Sequence, residues 1–230
     1  MNLQSRLLII ALLVLSARAS AQEDPEAQQP RRGPFQRATR SAGFAFGSGE
    51  QTTLFAASVG WDHSLTRLPR AQVGYGVRLN LVSGSTQNFT EADPNIPPAQ
   101  RTSILIEDPL LVAVNFFAQA QFALLAGVAA GFNIDAIGIG FGPSRVGVPS
   151  AGATADSTVS AQHFNLLQGG IRDRGSLNSE FYVAFRVRAR VAIRVGFAHA
   201  VSGYEVSRAG GGRKYQRFVT FPFAAIRLGR

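Results

Sequence analysis

The segment Ala71–Gly84 (AQVGYGVRLNLVSG) alternates between bulky apolar residues and residues that are small or polar. Every second position from Val73 to Leu81 is Val, Tyr or Leu, whereas the positions between them are Gly, Arg and Asn. A period of two residues predicts a β-strand, because successive side chains of a strand point to opposite faces. The apolar face of such a strand contacts either a protein core or lipid, and the residues on the other face distinguish the two.

Residues 1–21 have the features of a secretory signal peptide in the usual order. A positive charge at Arg6 precedes the apolar run LLIIALLVL, and Ala19, Ser20 and Ala21 form a cleavage site of small residues. The apolar run is too short to cross the roughly 30 Å of bilayer hydrocarbon as a helix. We therefore expect residues 1–21 to be cleaved after export, and residues 22–40, which are polar and contain prolines, to be disordered.

Short alternating segments recur from residue 41 onward between clusters of Gly, Pro, Ser and Asn, and this pattern predicts strands separated by turns. The alternation changes phase at Asp135 and Ala136, which predicts a β-bulge. The predicted strands lie at about residues 41–48, 53–64, 71–84, 104–122, 128–141, 177–187, 190–202 and 215–228.

The connections between these strands alternate between short turns and long loops, with one short exception at residues 49–52. The long loops are residues 83–103, 142–176 and 203–214. This alternation, together with the strand lengths, is typical of a barrel that crosses a membrane. The sequence therefore predicts an all-β fold, an antiparallel up-and-down transmembrane β-barrel of eight strands over residues 41–230.

The second face of the predicted strands is rich in Gly, Ala and Ser, for example at Gly74, Gly76, Ala184 and Ala192. A face exposed to water would instead be rich in Lys, Glu and Asp. Small residues fit the crowded interior of an eight-stranded barrel, and a closed barrel pairs every backbone group inside lipid. We therefore expect the apolar face to point outward into lipid.

Charged residues of both signs fall on the predicted inner face. They form either the charged constriction of a narrow pore or a network of ion pairs that fills the interior, and the filled interior of small barrels favours the network. These residues are Asp62, Arg78, Asp135, Glu180, Arg186 and Arg194.

A second group of cations lies in or beside the long loops. These cations either contact phosphates of an anionic outer leaflet or are solvated loop charges, and the sequence does not separate the two. They are Arg172, Arg174, Arg208, Arg213, Lys214 and Arg217.

His199, Ser202 and Glu205 are close in sequence and could suggest a nucleophile with its base. Residues three apart on a strand point to opposite faces, so His199 and Ser202 cannot pair. The three histidines also lack the spacing of metal ligands. We expect no catalytic residue, no cofactor and no metal. The formal charge of +9 suits an anionic membrane surface, and export argues against nucleic acid as a partner.

Three segments carry a resemblance to known proteins: VNFFAQAQF, GFNIDAIGIGFG and RGSLNSEFYVAFRVRARVAIRVGFAHAVSGYE. They resemble an uncharacterised family of small outer-membrane β-barrel proteins of Gram-negative bacteria, and the wider similarity is to OmpA-type eight-stranded barrels. The resemblance covers most of residues 110–228. It implies the fold and a location in the bacterial outer membrane. We also expect a monomer that is inserted by the outer-membrane insertion machinery and contacts outer-membrane lipid, including anionic lipopolysaccharide.

Two features depart from that pattern. The sequence finishes Leu228, Gly229, Arg230, without the terminal aromatic residue of such barrels, and Pro222 removes a hydrogen-bond donor from the last strand. The resemblance implies no enzymatic or transport activity for this chain. We expect a structural or surface-interaction role through the long loops, with two alternatives: a narrow passive channel for small solutes or ions, and a soluble periplasmic ligand-binding barrel.

Overall fold

The computed structural model describes residues 39–65, 68, 70–149, 157–161, 163–167, 175–206 and 212–229. The predicted signal peptide and residues 22–38 of the predicted disordered segment lie outside these ranges. Thr39 and Arg40, which the sequence placed in that segment, instead begin the first strand, because they pair with Asp62 and Trp61. Among the described residues, no helix has the length and apolar character needed to cross a membrane.

The described residues form thirteen strands and one short 3-10 helix at Pro98–Gln100. Eight strands are long: β1 (Thr39–Gly49), β2 (Thr52–Ser64), β3 (Ala71–Gly84), β6 (Leu110–Leu125), β7 (Val128–Phe141), β11 (Leu177–Arg188), β12 (Val191–Val206) and β13 (Arg213–Gly229). Five are short: β4 (Gln87–Glu91), β5 (Ser103–Ile106), β8 (Arg145–Pro149), β9 (Ser157–Ser160) and β10 (His163–Leu166).

The long strands pair antiparallel, each with the next long strand along the chain. The last long strand, β13, then pairs with β1 from Ser41–Gly229 to Gly47–Phe223, so the sheet closes on itself. We call this closed set of long strands the main ring. At its turn end lie the short connections 65–70, 126–127 and 189–190, and the longer connections lie at its loop end.

The short strands β4, β5, β8 and β9 make a second route between β12 and β13. β9 pairs with β12 at Ser160–Glu205, and β4 pairs with β13 at Glu91–Tyr215. β5 and β8 connect β4 to β9. These four strands and the loop-end parts of β12 and β13 form a smaller closed set, the upper ring. Counted through the short strands, the closed ring contains twelve strands.

The short strands correct the loops predicted from the sequence. Residues 83–103 and 142–176 contain β4, β8, β9 and β10, and the single strand predicted at residues 104–122 is divided into β5 and β6. The division falls at Asp108, whose φ of 44° breaks the extended chain before Pro109. The short strands were missed because each is stabilised by pairing with distant strands rather than by its own pattern.

The predicted bulge in β7 is confirmed. Phe116 pairs with Ile137 and Phe117 pairs with Asp135, so Ala136 has no partner on β6. The Ala136 carbonyl instead accepts a hydrogen bond from the Leu167 amide at 2.8 Å. At this bulge β7 changes partner on its other edge from β11 to β10.

Pro222 fits the last strand without a shift of register. It lies opposite Phe197 in the β12–β13 pair, which is continuous from Val191–Leu228 to Val206–Arg213. The β1–β13 pairing ends at Phe223, the residue that follows Pro222 in the sequence, so Pro222 has no partner on β1 and β1 does not require the missing amide donor.

The apolar face of the main ring is its outer face, as the sequence predicts. In β3, Tyr75 and Leu79 are 55% and 46% exposed, whereas Arg78 between them is 3% exposed. The same arrangement is found on β11, where the apolar residue Phe181 is 64% exposed and the charged residue Glu180 is buried. The ring therefore places charged and polar side chains inside and large apolar side chains outside.

Candidate functional site

The centre of the main ring holds a cluster of buried polar side chains around Arg78 of β3. Its Nε donates to Asp135 Oδ1 at 2.9 Å, and its Nη1 donates to Glu180 Oε1 at 2.8 Å. Nη1 also donates to Asn133 Oδ1, and Nη2 donates to the Asn178 carbonyl, each at 2.9 Å. Three of the six predicted interior charges, from strands β3, β7 and β11, are thus in direct contact.

Asparagine side chains complete the hydrogen bonding of the two carboxylates in this central cluster. Asp135 Oδ2 accepts hydrogen bonds from Asn80 Nδ2 at 3.0 Å and from Asn115 Nδ2 at 2.8 Å, and it also accepts one from the backbone N–H of Asn178 at 2.9 Å. Glu180 Oε2 accepts from Asn133 Nδ2 at 2.6 Å. Because buried charges are tolerated only when they are paired and hydrogen bonded, this arrangement explains how an ionised group survives there.

A second polar cluster lies nearer the turn end. Asp62 of β2 accepts hydrogen bonds from Gln119 and Arg227, and Arg227 Nη2 also donates to Ser41 Oγ at 3.1 Å. Arg227 was not predicted from the sequence as an interior residue. It lies on the same face of β13 as the buried residues Phe223 and Ala225, so the alternation along β13 would have placed it inside.

Arg194 of β12 lies between the two clusters. Its guanidinium carbon is 4.9 Å from the centre of the Tyr182 ring, a distance typical of a cation–π contact. Arg78 makes a similar contact at 5.4 Å with Phe117. Among the described residues, the two clusters and Arg194 together contain three arginines and three carboxylates, and their formal charges balance.

Little space is left among these side chains. The enclosed cavity between the two clusters has a volume of about 10 Å³, and Arg78, Glu180, Arg194 and Arg227 line it. About this much space is needed for a single water molecule. The described side chains therefore fill the middle of the main ring, and the cavity has no room for a larger solute.

The upper ring covers the loop end with an apolar core. Phe89, Ile106 and Val159 are fully buried there. The ring of Tyr204 packs edge-on against Phe89 with centroids 5.2 Å apart. Its hydroxyl lies 3.1 Å from the Leu110 amide and 3.2 Å from the Leu110 carbonyl, accepting from the first and donating to the second.

Asn165 of β10 connects the loop end to the central cluster. Its Nδ2 donates to Asn115 Oδ1 at 3.0 Å, and its Oδ1 accepts from the Ser176 amide at 2.6 Å. Asn165 is fully buried. The sequence placed Asn165 in a loop, so neither its burial nor its partners were predicted.

Other predicted residues lie outside the interior clusters. Arg186, predicted in the interior network, is exposed at the turn end, because its strand leaves the ring interior there. At the loop end, Arg213 Nε lies 3.8 Å from Glu91 Oε1, and Arg217 Nη2 donates to the Glu50 carbonyl at 2.8 Å. The Lys214 carbonyl accepts from the Ala92 amide. The remaining predicted loop cations, Arg172, Arg174 and Arg208, lie outside the described residues.

His199 and Ser202 lie on opposite faces of β12. His199 is on the outer face, with Nδ1 2.8 Å from Thr220 Oγ1, whereas Ser202 is buried on the inner face. The predicted opposite orientation of His199 and Ser202 is confirmed. In the part of the chain that the structure describes, no group of three His, Cys, Asp or Glu residues is arranged to hold a metal ion.

Aromatic side chains lie on the outer face near both ends of the main ring. Near the turn end, the Tyr75 ring stacks with Trp61 and with His63, each at a centroid distance of 5.8 Å. Near the loop end, Phe46 and Phe55 are in contact at 5.0 Å. Between these two levels, the outward positions of the described long strands carry no Asp, Glu, Lys or Arg.

No known protein family matches the sequence, and no curated protein matches it. Among solved structures, the chain is similar to Neisserial surface protein A, at 10% identity and a TM-score of 0.37, over 83% of this chain and 94% of that chain. It is also similar to a FadL homologue of Pseudomonas aeruginosa, at 9% identity and a TM-score of 0.20, over 84% of this chain and 88% of that chain. At these values neither likeness assigns a family or a function.

Proposed function

We propose that this protein is an integral protein of the bacterial outer membrane, exported by residues 1–21, in which the eight long strands cross the bilayer as an antiparallel up-and-down β-barrel. One observation carries the proposal: the outer face of the main ring is apolar and uncharged between two levels that carry aromatic side chains, while Arg78, Asp135 and Glu180 lie inside. Outer-membrane barrels have this apolar band, aromatic girdles and polar interior.

The exposed apolar surface is too extensive for a soluble monomer. Soluble monomers rarely expose contiguous apolar patches larger than a few hundred Å², whereas here large apolar side chains are exposed on every long strand. Examples are Phe44, Phe55, Tyr75, Phe116, Phe132, Phe181, Phe197 and Ile226. This surface argues against the alternative of a soluble periplasmic ligand-binding barrel.

The height of the apolar band fits an outer membrane. In β3 the apolar band runs from Val73 to Leu81. A stretch of this length spans roughly 27 Å along the strand, and a tilt of about 40° reduces this to a height of roughly 21 Å. The band of outer-membrane barrels is about 25 Å tall. In that orientation the turn end faces the periplasm and the loop end faces outward.

The filled interior supports a structural or surface-interaction role over a channel. The central cluster and the cluster at Asp62 occupy the ring, and the apolar core of the upper ring covers its loop end. Within this role we propose a monomer that is inserted by the outer-membrane insertion machinery. We also propose that exposed loop-end cations such as Arg213 contact the phosphates of lipopolysaccharide.

The membrane location and orientation can be tested by labelling single cysteines, because the natural chain has none. Ala99→Cys and Ala189→Cys place the same exposed substitution at the loop end and at the turn end. In intact cells, a maleimide that does not cross membranes should label Ala99→Cys and leave Ala189→Cys unlabelled until the outer membrane is permeabilised. Labelling of both variants in intact cells, or recovery of the protein in the soluble fraction without detergent, would contradict the proposal.

The filled interior is tested separately in a planar bilayer. We expect the purified protein to show no steady open state, because the enclosed cavity is about 10 Å³. A steady single-channel conductance would favour the narrow passive channel.

A further inference from the structure

The turn end of the main ring opens into a cavity of about 220 Å³ that the function proposed above does not use. Its wall contains five arginines and one aspartate. We call it the turn-end vestibule, and its charged residues are Asp62, Arg70, Arg186, Arg188, Arg190 and Arg227.

The arginines reach the vestibule from opposite sides of the main ring. Arg70 lies at the β2–β3 connection, whereas Arg186, Arg188 and Arg190 lie at the β11–β12 connection. In the pairing order of the long strands, these two connections are separated by four strands in either direction, which is half of the main ring. A ligand in the vestibule would therefore have guanidinium groups on two opposite sides.

Most of this positive charge is not compensated within the described structure. Asp62 is engaged by Arg227. No described carboxylate lies within ion-pair distance of Arg70, Arg186, Arg188 or Arg190. Arg78 differs, because it contacts two carboxylates in the central cluster. Like charges grouped around a concave surface repel each other and attract anions.

Small residues leave room for such an anion. Ala123, Ala129, Ala184 and Ala192 line the vestibule wall, where larger side chains would fill the space. The volume of about 220 Å³ is well over ten times the roughly 10–15 Å³ that one water molecule needs. The vestibule can hold an anion of several atoms, but not a folded protein domain.

We propose that the turn-end vestibule binds a phosphate-bearing anion between Arg70 and the arginines of the β11–β12 connection. Guanidinium groups present paired donors that match phosphate oxygens, and charge-assisted hydrogen bonds of this kind are about twice as strong as neutral ones. The phosphate belongs either to a small soluble compound or to the headgroup of a phospholipid. The proposal rests on the shape and charge of the vestibule and does not depend on the membrane assignment.

The test uses the full-length protein in maltoside micelles, with inorganic pyrophosphate as the soluble probe in isothermal titration calorimetry. Dihexanoyl phosphatidylglycerol, kept below its micelle-forming concentration, is the headgroup probe. We expect at least one probe to bind at a single site, and to bind more weakly as the salt concentration rises. Binding of pyrophosphate would indicate a soluble ligand, and binding of the lipid probe alone would indicate a headgroup site.

Two variants and one matched control identify the site. The double variant Arg186→Gln/Arg190→Gln should weaken binding about tenfold or more, and Arg70→Gln should weaken it from the opposite side of the ring. Arg40→Gln removes the same charge at the same end of the molecule, but Arg40 lines a groove on the outer surface, so binding should be unchanged. Each variant must keep the melting temperature of the natural protein.

The proposal is overturned if neither probe binds. It is also overturned if Arg186→Gln/Arg190→Gln and Arg70→Gln bind the probe as tightly as the natural protein. Equal weakening by Arg40→Gln would show a general effect of surface charge, and this outcome also rejects the vestibule as the site.

Discussion

Removing Arg78 tests whether the central cluster stabilises the fold through its charge balance. Arg78→Met keeps much of the side-chain length but leaves Asp135 and Glu180 buried without the cation that contacts both. Breaking a buried ion pair by deleting one partner costs about 3–5 kcal/mol. Both carboxylates lose a partner here, so we expect a loss near the upper end of that range in the free energy of unfolding.

A second variant separates charge from packing. Arg78→Met/Asp135→Asn/Glu180→Gln removes all three charges and retains similar volumes, and the asparagines at positions 80, 115 and 133 can still bond the new amides. Replacing a whole buried ionic group by neutral residues is often close to neutral in stability. The triple variant should therefore recover most of the stability that Arg78→Met loses.

The assay is urea unfolding of the protein in lipid vesicles, followed by the fluorescence of Trp61, the only tryptophan. The control is Arg213→Met, because Arg213 is 47% exposed and 3.8 Å from its carboxylate, so its loss should change stability by less than about 1 kcal/mol. If Arg78→Met is as stable as Arg213→Met, or if the triple variant is no more stable than Arg78→Met, the charge-balance argument is refuted.

Three further outcomes are expected. Phe197→Arg, on the apolar outer face where Phe197 is 61% exposed, should destabilise the protein in bilayers by about 2–4 kcal/mol, whereas a soluble protein would tolerate it in urea titrations. Gly76→Ala places a Cβ against the Val59 carbonyl and 2.8 Å from Gly60 Cα, so the free energy of unfolding in urea should fall by about 1–3 kcal/mol. In the control Gly229→Ala, the nearest atom to the added Cβ is 3.9 Å away, so the free energy of unfolding should not change. Tyr204→Phe removes two hydrogen bonds to Leu110, so proteolysis at the loop end should become faster while the urea midpoint of the main ring changes little. An unchanged rate of proteolysis would contradict this role of Tyr204.

The alternation of side chains was sufficient to place much of the interior. Arg78 and Glu180 could be assigned inward because the period of two is unbroken around each of them. Asp135 could be assigned inward from the alternation that precedes it, because the bulge at Ala136 was visible as a change of phase. Arg186 lies six residues from Glu180 on β11, so alternation places both side chains on the same face of the strand. Alternation does not show where the strand extends beyond the interior of the ring.

The upper ring could not be predicted from local pattern. Phe89 and Tyr204 are more than one hundred residues apart in sequence, yet they form one core with a ring distance of 5.2 Å. Val159 contributes to the same core from a strand of only four residues. Short strands of this kind exist only because distant partners pair with them, and a single sequence does not reveal such partners. For the same reason Asn165 was placed in a loop.

The sharing of β12 and β13 by both rings has a consequence for assembly. β13 is the last strand of the main ring in chain order. One of its edges pairs with β12, and the other edge closes both rings, with β1 in the main ring and with β4 in the upper ring. Until β13 has docked, the free hydrogen-bonding edge of β1 remains available to any passing chain, so the earlier strands need protection from aggregation. The pair of strands β12 and β13 therefore closes both the main ring and the upper ring, and losing β13 would open the two together.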